Sequence, residues 1–138
     1  VIKLSWPPKE LNPNHTGKLR LKMRAQKAYR TEAWLSTLAV LPPAFRAPAE
    51  TEIPMIVTFY PPDSRRRDRD NIIASFKRGQ DGIAMAMHAD DYWFRPRYQF
   101  GEPVNGGSVV VSFDHDDARP IGEIIRPIMR RLAENIAE

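Results

Sequence analysis

The sequence predicts a small mixed α/β (α+β) single domain over residues 1–138, with a mixed sheet in β-α-β-α-β-β order and an added C-terminal helix. Three observations carry this expectation. The chain has 138 residues, which is one domain's worth. Apolar or alternating runs at 1–6, 53–60 and 108–113 read as strands, and segments of helical period lie between them at 19–41 and 71–87. Proline pairs close the elements: Pro7-Pro8, Pro42-Pro43 and Pro61-Pro62 each stop the run before them.

Taken in order, Val1 to Trp6 alternates and reads as a short strand. Lys9 to Gly17 is a loop with Asn12-Pro13-Asn14 as turn chemistry. Over 19–41, Trp34, Leu38 and Leu41 recur at helical spacing, and Ala25, Ala28 and Leu35 widen the apolar stripe. Ile53 to Tyr60 is apolar and β-branched, with Pro54 near its start where a missing donor does least harm. The second helix, 71–87, places Ile73, Phe76, Ile83 and Met87 on one face, with Asp70 or Asn71 as its N-cap. Gly79 and Gly82 weaken it by about 1 kcal/mol each relative to Ala. Residues 92–103 are aromatic and read as extended. Asn105-Gly106-Gly107 is a hairpin signal before the strand Ser108 to Phe113. Residues 121–137 read as a terminal helix, kinked at Pro127.

Hydrophobic residues make up 42% and charged residues 28%, which excludes a wholly disordered chain. No run approaches a membrane span and no leader pattern opens the chain, so a cytoplasmic protein with no membrane partner is expected. There are no cysteines, which excludes disulfides and thiolate chemistry. Charge is unevenly spread. Residues 1–78 carry 15 Lys and Arg against 7 Asp and Glu, whereas residues 79–138 carry 6 against 10. A basic first half points to a polyanion, with nucleic acid the leading candidate.

The segment richest in chemistry is Arg65-Arg66-Arg67-Asp68-Arg69-Asp70-Asn71. In an extended chain Asp68 and Asp70 share one face, about 6–7 Å apart. Two such carboxylates suit a hard cation such as Mg²⁺, and the flanking arginines suit phosphates. Asp90-Asp91 supplies further carboxylates, and Lys77 and Arg78 lie on the helix between the two acidic groups. Solvated Arg–Asp pairs and surface lysines are the bland alternative. Asp114-His115-Asp116-Asp117 reads as a loop rather than a metal site. His15 and His88 are isolated. No Ser-His-Asp order, phosphate-binding loop or dinucleotide fingerprint is present.

These blocks together resemble the RusA family of Holliday junction resolvases of phages and prophages. Leu4-Ser5-Trp6-Pro7-Pro8 is similar to the family's opening strand and W-P-P turn. Gln26-Lys27-Ala28-Tyr29-Arg30 is similar to its first helix. Arg66-Arg67-Asp68-Arg69-Asp70-Asn71 matches the signature R-R-D-x-D-N, and Asp90-Asp91 its later acidic pair. Gly106-Gly107 and the strand after it resemble its last hairpin. The resemblance covers about residues 1–113, which leaves 114–138 as a candidate extension.

The resemblance implies a bacterial or phage-encoded homodimer that cuts four-way DNA junctions with Mg²⁺ (Mn²⁺ as a substitute) in DNA recombination and repair. Asp68, Asp70 and Asp91 would be its catalytic and metal-holding carboxylates, with Asp90 beside them. The family's helical lysine falls at Ala74 counting forward from Asn71, and at Lys77 counting back from Asp81. A three-residue insertion in one continuous helix would reconcile the two, displacing the face by about 60°. Arg65, Arg66, Arg67 and Arg69, with Lys18, Arg20, Lys22, Arg24, Lys27 and Arg30 of the first helix, would grip the DNA backbone. The alternatives are a DNA-binding protein of this fold with little cleavage, a metal-dependent nuclease for other branched DNA or RNA, and a structural module.

Overall fold

The computed structural model describes residues 1–113. Four strands form one sheet: β1 (Ile2–Leu4), β2 (Ile53–Tyr60), β3 (Phe94–Phe100) and β4 (Ser108–Ser112). The helices are α1 (Leu19–Leu38), α2 (Arg69–Ser75) and α3 (Lys77–Ala86), with 3₁₀ turns at Lys9–Leu11 and Asp91–Trp93. The mixed α/β class and the order of elements agree with expectation. The acidic cluster at 114–117 and the terminal helix at 121–137 lie outside the described residues. Among those described, no helix is long and apolar enough to cross a membrane.

The strand order is β1-β4-β2-β3. β4 runs antiparallel to both β1 and β2, and β3 runs parallel to β2. This corrects the hairpin expectation. Gly106 and Gly107 do turn the chain, at φ 78° and 72°, but the strands they join are not neighbours. The composition of the strands explains the order. Val109 and Val111 of β4 are fully buried, so β4 belongs inside the sheet. β3 exposes Arg95, Arg97 and Gln99 on alternate positions, which suits a charged edge. Its parallel pairing with β2 is made possible by the α2–α3 crossover.

Ile53, Met55, Val57 and Phe59 alternate along β2 and face the core. Phe59 is fully buried and meets four rings: Trp6 at 6.3 Å, Phe76 at 5.7 Å, Tyr98 at 6.1 Å and Phe100 at 5.4 Å between centroids. Phe76 in turn meets Tyr29 of α1 edge to face at 6.4 Å.

The first helix buries only part of the expected stripe. Tyr29, Ala33 and Thr37 face the core and Ala25 and Leu41 pack against it, while Leu35 and Leu38 are exposed. The small Ala33 and the hydroxyl of Thr37, which donates to the Ala33 carbonyl at 2.7 Å, let α1 lie close against α3. Gly82 explains why small residues win. A Cβ there would stand 2.2 Å from the Arg30 carbonyl oxygen and 2.9 Å from the Ala33 Cβ. A Cβ on Gly79 would press on the Tyr29 and Phe76 rings at 2.9 and 2.8 Å. These glycines therefore set the α1–α3 approach.

The expected single helix over 71–87 is two helices meeting at Phe76. The Ser75 hydroxyl donates to the Asn71 carbonyl four residues back, at 2.7 Å, a bond that bends helices. The expected core face survives the bend, with Phe76, Ile83 and Met87 fully buried.

Gly82→Ala is expected to destabilise the protein by about 1–3 kcal/mol, because the overpacking cost against a backbone carbonyl exceeds the gain in helix propensity. Urea unfolding measures it, and a higher midpoint than wild type would refute the close-approach role.

Candidate nucleic-acid interface and acidic site

The Arg-rich segment does not run extended through its aspartates. Asp68 is the N-cap of α2 (φ −75°, ψ 119°), and its Oδ1 accepts from the Asp70 N–H at 2.8 Å and the Asn71 N–H at 3.4 Å. Asp68, not Asp70 or Asn71, is therefore the cap. Asp70 stands in the first helical turn, where the free N–H groups and the helix dipole favour a carboxylate. The two side chains leave the same helix end, but not as neighbours on one strand face. Capping leaves the Asp68 Oδ2 outside these bonds.

Beside this helix end lies a cleft of about 650 Å³. Its walls include Trp6, His15, Arg65, Arg66, Asp68, Asn71 and Ser75. Two clamps hold its far wall. The Ser5 N–H and hydroxyl donate to the Glu32 carboxylate at 2.7 and 2.6 Å. The buried Tyr29 hydroxyl donates to the Ser5 carbonyl at 2.8 Å. Burial first, and then the Glu32 charge, push the Tyr29 phenol far above its ordinary pKa, so it stays a neutral donor.

The arginines divide by what they touch. Arg67 is engaged within its own loop: its Nη1 donates to the Asp63 and Arg65 carbonyls, both at 3.1 Å, and pairs with Asp63 Oδ1 at 2.9 Å. It also lies over the Trp6 ring at 5.9 Å. Its expected phosphate contact therefore competes with a loop-closing role. The Arg67 hydrogen bond also holds the Asp63 carboxyl below its usual range. Arg65 and Arg66 are exposed and line the cleft. Arg69 lies over the Phe100 ring at 4.6 Å with its head exposed. On α1, Lys18, Arg20, Arg24 and Lys27 are exposed, whereas Lys22 and Arg30 are half-buried. Positions spaced 100° apart put this set around the helix rather than along one face.

Lys77 begins α3, just past the bend, so the expected rotation of a continuous helix does not apply. Its Nζ pairs with Asp81 Oδ1 at 3.0 Å and with Asp91 Oδ2. Arg78 reaches the other Asp81 oxygen at 3.2 Å. Asp81 was not among the expected site residues, although its four-residue spacing from Lys77 was the available signal. Burial works to lower the Lys77 pKa, but the hydrogen bonds that its ammonium donates to Asp91 and Asp81 outweigh it and hold the pKa above its ordinary value. The Lys77 hydrogen bond likewise lowers the Asp91 pKa against the opposing effect of burial. Asp90 caps the turn that follows, its Oδ1 accepting from the Tyr92 N–H at 2.9 Å.

The expected carboxylates thus fall into two sets, Asp68 with Asp70 on α2, and Asp90 with Asp91 beside Lys77. Among the described residues no group of three His, Cys, Asp or Glu side chains is disposed to hold an ion, so the expected three-carboxylate group is not assembled. Mg²⁺ keeps several waters and is commonly held by one or two carboxylates together with substrate phosphates. The exposed oxygen donors of Asp68 and Asp70, next to an arginine-lined cleft, fit that requirement.

Fold and site define a small mixed α/β protein with an aspartate-capped, arginine-flanked helix end beside a polar cleft. No family model matches the chain. It is 31% identical over 112 residues to an uncharacterized protein of Xylella fastidiosa, a match covering 80% of this chain and 73% of that protein. The chain belongs to the family of that protein.

Two expectations follow. Asp68→Ala should cost about 1 kcal/mol of stability by removing the cap, whereas Asp68→Asn should cost less than half of that. Equal urea midpoints for the two variants would mean that the cap is not what holds Asp68. The second concerns pH. A lowered Asp91 pKa gives stability that is present above the ordinary carboxylate pKa and lost as pH falls through the depressed value. A raised Lys77 pKa gives stability that is present below the ordinary lysine pKa and lost as pH rises through the elevated value. Lys77→Met should therefore lower stability between those limits, by less than about 1 kcal/mol because the pair is part-exposed. The two stability–pH curves should converge at strongly acid pH, and curves that stay parallel there would contradict the assignment.

Proposed function

We propose that the protein is a Mg²⁺-dependent, structure-selective endodeoxyribonuclease of the RusA type that resolves four-way DNA junctions. The observation that supports this reading is a convergence. Of three blocks far apart in sequence, 4–8 and 65–71 line one cleft, and 26–30 is tied to the first of them behind it. Tyr29 holds Ser5, Arg67 covers Trp6, and the D-x-D-N segment starts α2 at the cleft wall. Those are three of the five blocks on which the family resemblance rests.

In this reading Arg65, Arg66 and Arg69 bind backbone phosphates, and the wall at Trp6 limits how the strand enters. Asp68 and Asp70 would hold Mg²⁺, and Asp90 and Asp91 form the other acidic set. When bound, the ion lowers the pKa of a coordinated water and polarises the phosphoryl oxygens. Lys77 acts on Asp91, fixing the direction of its carboxylate, before it can act on a phosphate. A four-way junction is two-fold symmetric and needs two cuts, so the active unit would be a C2 dimer with one site per protomer.

Asp70→Asn keeps shape and removes charge. With a synthetic four-way junction, it should bind within about threefold of wild type and cut at least about 100-fold more slowly in Mg²⁺, the loss expected when several kcal/mol of metal-derived stabilisation is removed. Single-turnover cleavage at saturating protein measures it. Wild-type cutting by the variant would remove Asp70 from the site. Binding without cutting by the wild-type protein would favour the DNA-binding alternative.

A further inference from the structure

A second cleft, of about 710 Å³, lies at the other end of the sheet, where β2 and β3 begin. Its walls include Arg46, Glu50, His88, Asp90, Tyr92 and Trp93. We propose that this cleft takes a single unstacked nucleobase of DNA, with the Tyr92 ring as the stacking surface. The proposal deepens the nuclease reading and rests on it for the identity of the ligand.

Tyr92 is 70% exposed, an unusual state for an aromatic ring on a turn between two ordered elements. It is nevertheless held on several sides. The edge-to-face contact with Trp93 has centroids 5.0 Å apart at 90°. The Arg95 guanidinium lies 5.9 Å from its ring and donates to its carbonyl at 2.8 Å. Asp90 caps its N–H. An exposed ring with its backbone fixed and its orientation braced loses little entropy on binding. A base contributes a π-face to such a ring whatever its identity.

The rest of the cleft suits a base better than a bare phosphate. Arg46 and His88 bring donors, while Glu50 and Asp90 bring carboxylate acceptors. A base edge presents both donors and acceptors, whereas a phosphate would meet repulsion from two of the four groups. Backbone strain also gathers here. Of the three described non-glycine residues with positive φ, two, Glu50 (52°) and His88 (51°), line this cleft. His88 ends α3 with the Ala89 N–H donating to the Ala84 carbonyl at 2.9 Å and its own N–H to the Met85 carbonyl at 3.3 Å. That helix stop favours glycine. This chain carries instead a side chain that can reach a ligand.

The test uses a short single-stranded DNA and a four-way junction, each with 2-aminopurine replacing one base, at the branch in the junction. Stacking on an aromatic ring quenches this fluorophore. Wild type and Tyr92→Phe should quench it at least twofold at saturation. Tyr92→Ala should lose the quench and bind the single strand about 5- to 100-fold more weakly. An oligonucleotide with an abasic site at the same position keeps the phosphates and should bind wild type as weakly as the intact strand binds Tyr92→Ala. Equal quench and affinity in wild type and Tyr92→Ala, or no affinity loss on the abasic strand, overturns the subsite, as does absence of DNA binding. Junction cleavage scored in parallel separates the two readings. Quenching without cutting removes the nuclease reading and keeps the base subsite. Cutting without a Tyr92-dependent quench removes the subsite alone.

Discussion

Phe59 is the point on which the rest of the molecule is built. It is fully buried on β2 and meets rings from the Pro-Pro turn, the α2–α3 bend and the edge strand. Trp6 fixes the Pro-Pro turn, Phe76 fixes the bend between α2 and α3, and Tyr98 and Phe100 fix the edge strand. Edge-to-face and offset ring contacts are each worth about 0.5–1.5 kcal/mol beyond burial, and they constrain orientation as well as distance. The bend at Phe76 matters most for the site. With Phe76 anchored, α2 points its N-terminus at the Pro-Pro turn, while α3 runs back along α1 on its two glycines.

The charged site is a compromise between folding and chemistry. Asp68 uses one oxygen to cap α2, so any cation it held would share a carboxylate already polarised by two N–H groups. That bonding fixes the side chain's direction, as a ligand requires. Arg67 shows the same economy. It closes the 63–67 loop on Asp63 and packs on Trp6, which leaves Arg65, Arg66 and Arg69 displayed. A loop carrying four arginines would otherwise spread them by mutual repulsion. One internal ion pair turns it into a defined surface.

The class of fold was legible because apolar alternation along 53–60 and 108–112 and the proline stops are local signals. The position of β4 was not. Asn105-Gly106-Gly107 specifies a turn, but whether its flanking strands pair depends on which strand can be buried on both edges, and that is a property of the whole sheet. The α1 face departs in part from its apolar pattern for a related reason. Leu35 and Leu38 are the most apolar residues available, yet Gly82 on another helix demands small partners, so Ala33 and Thr37 face inward. At the site, the residue types were legible and their grouping was not. A cap residue pulls its chain into a helix, and a lysine placed after a bend finds carboxylates that linear spacing cannot pair. Asp81 was visible only as the end of an i,i+4 spacing from Lys77.

The two clefts lie at opposite ends of the eight-residue β2, a span of about 23 Å at the rise of a strand. Asp91 belongs to neither wall, yet it is tied to both. It precedes Tyr92 in the chain, and its carboxylate is held by Lys77, the first residue of the helix that continues from α2. A ligand that reoriented Tyr92 would pull on the Asp90–Trp93 turn, and the Lys77 pair would resist or yield. A ligand that drew Lys77 toward a phosphate would free Asp91 from its strongest partner. The turn at 90–93 is therefore coupled to the start of α3 through one ammonium group. That coupling needs no motion of the core, because Phe76 and Phe59 hold the helix start while only a half-exposed lysine and a surface turn change partners.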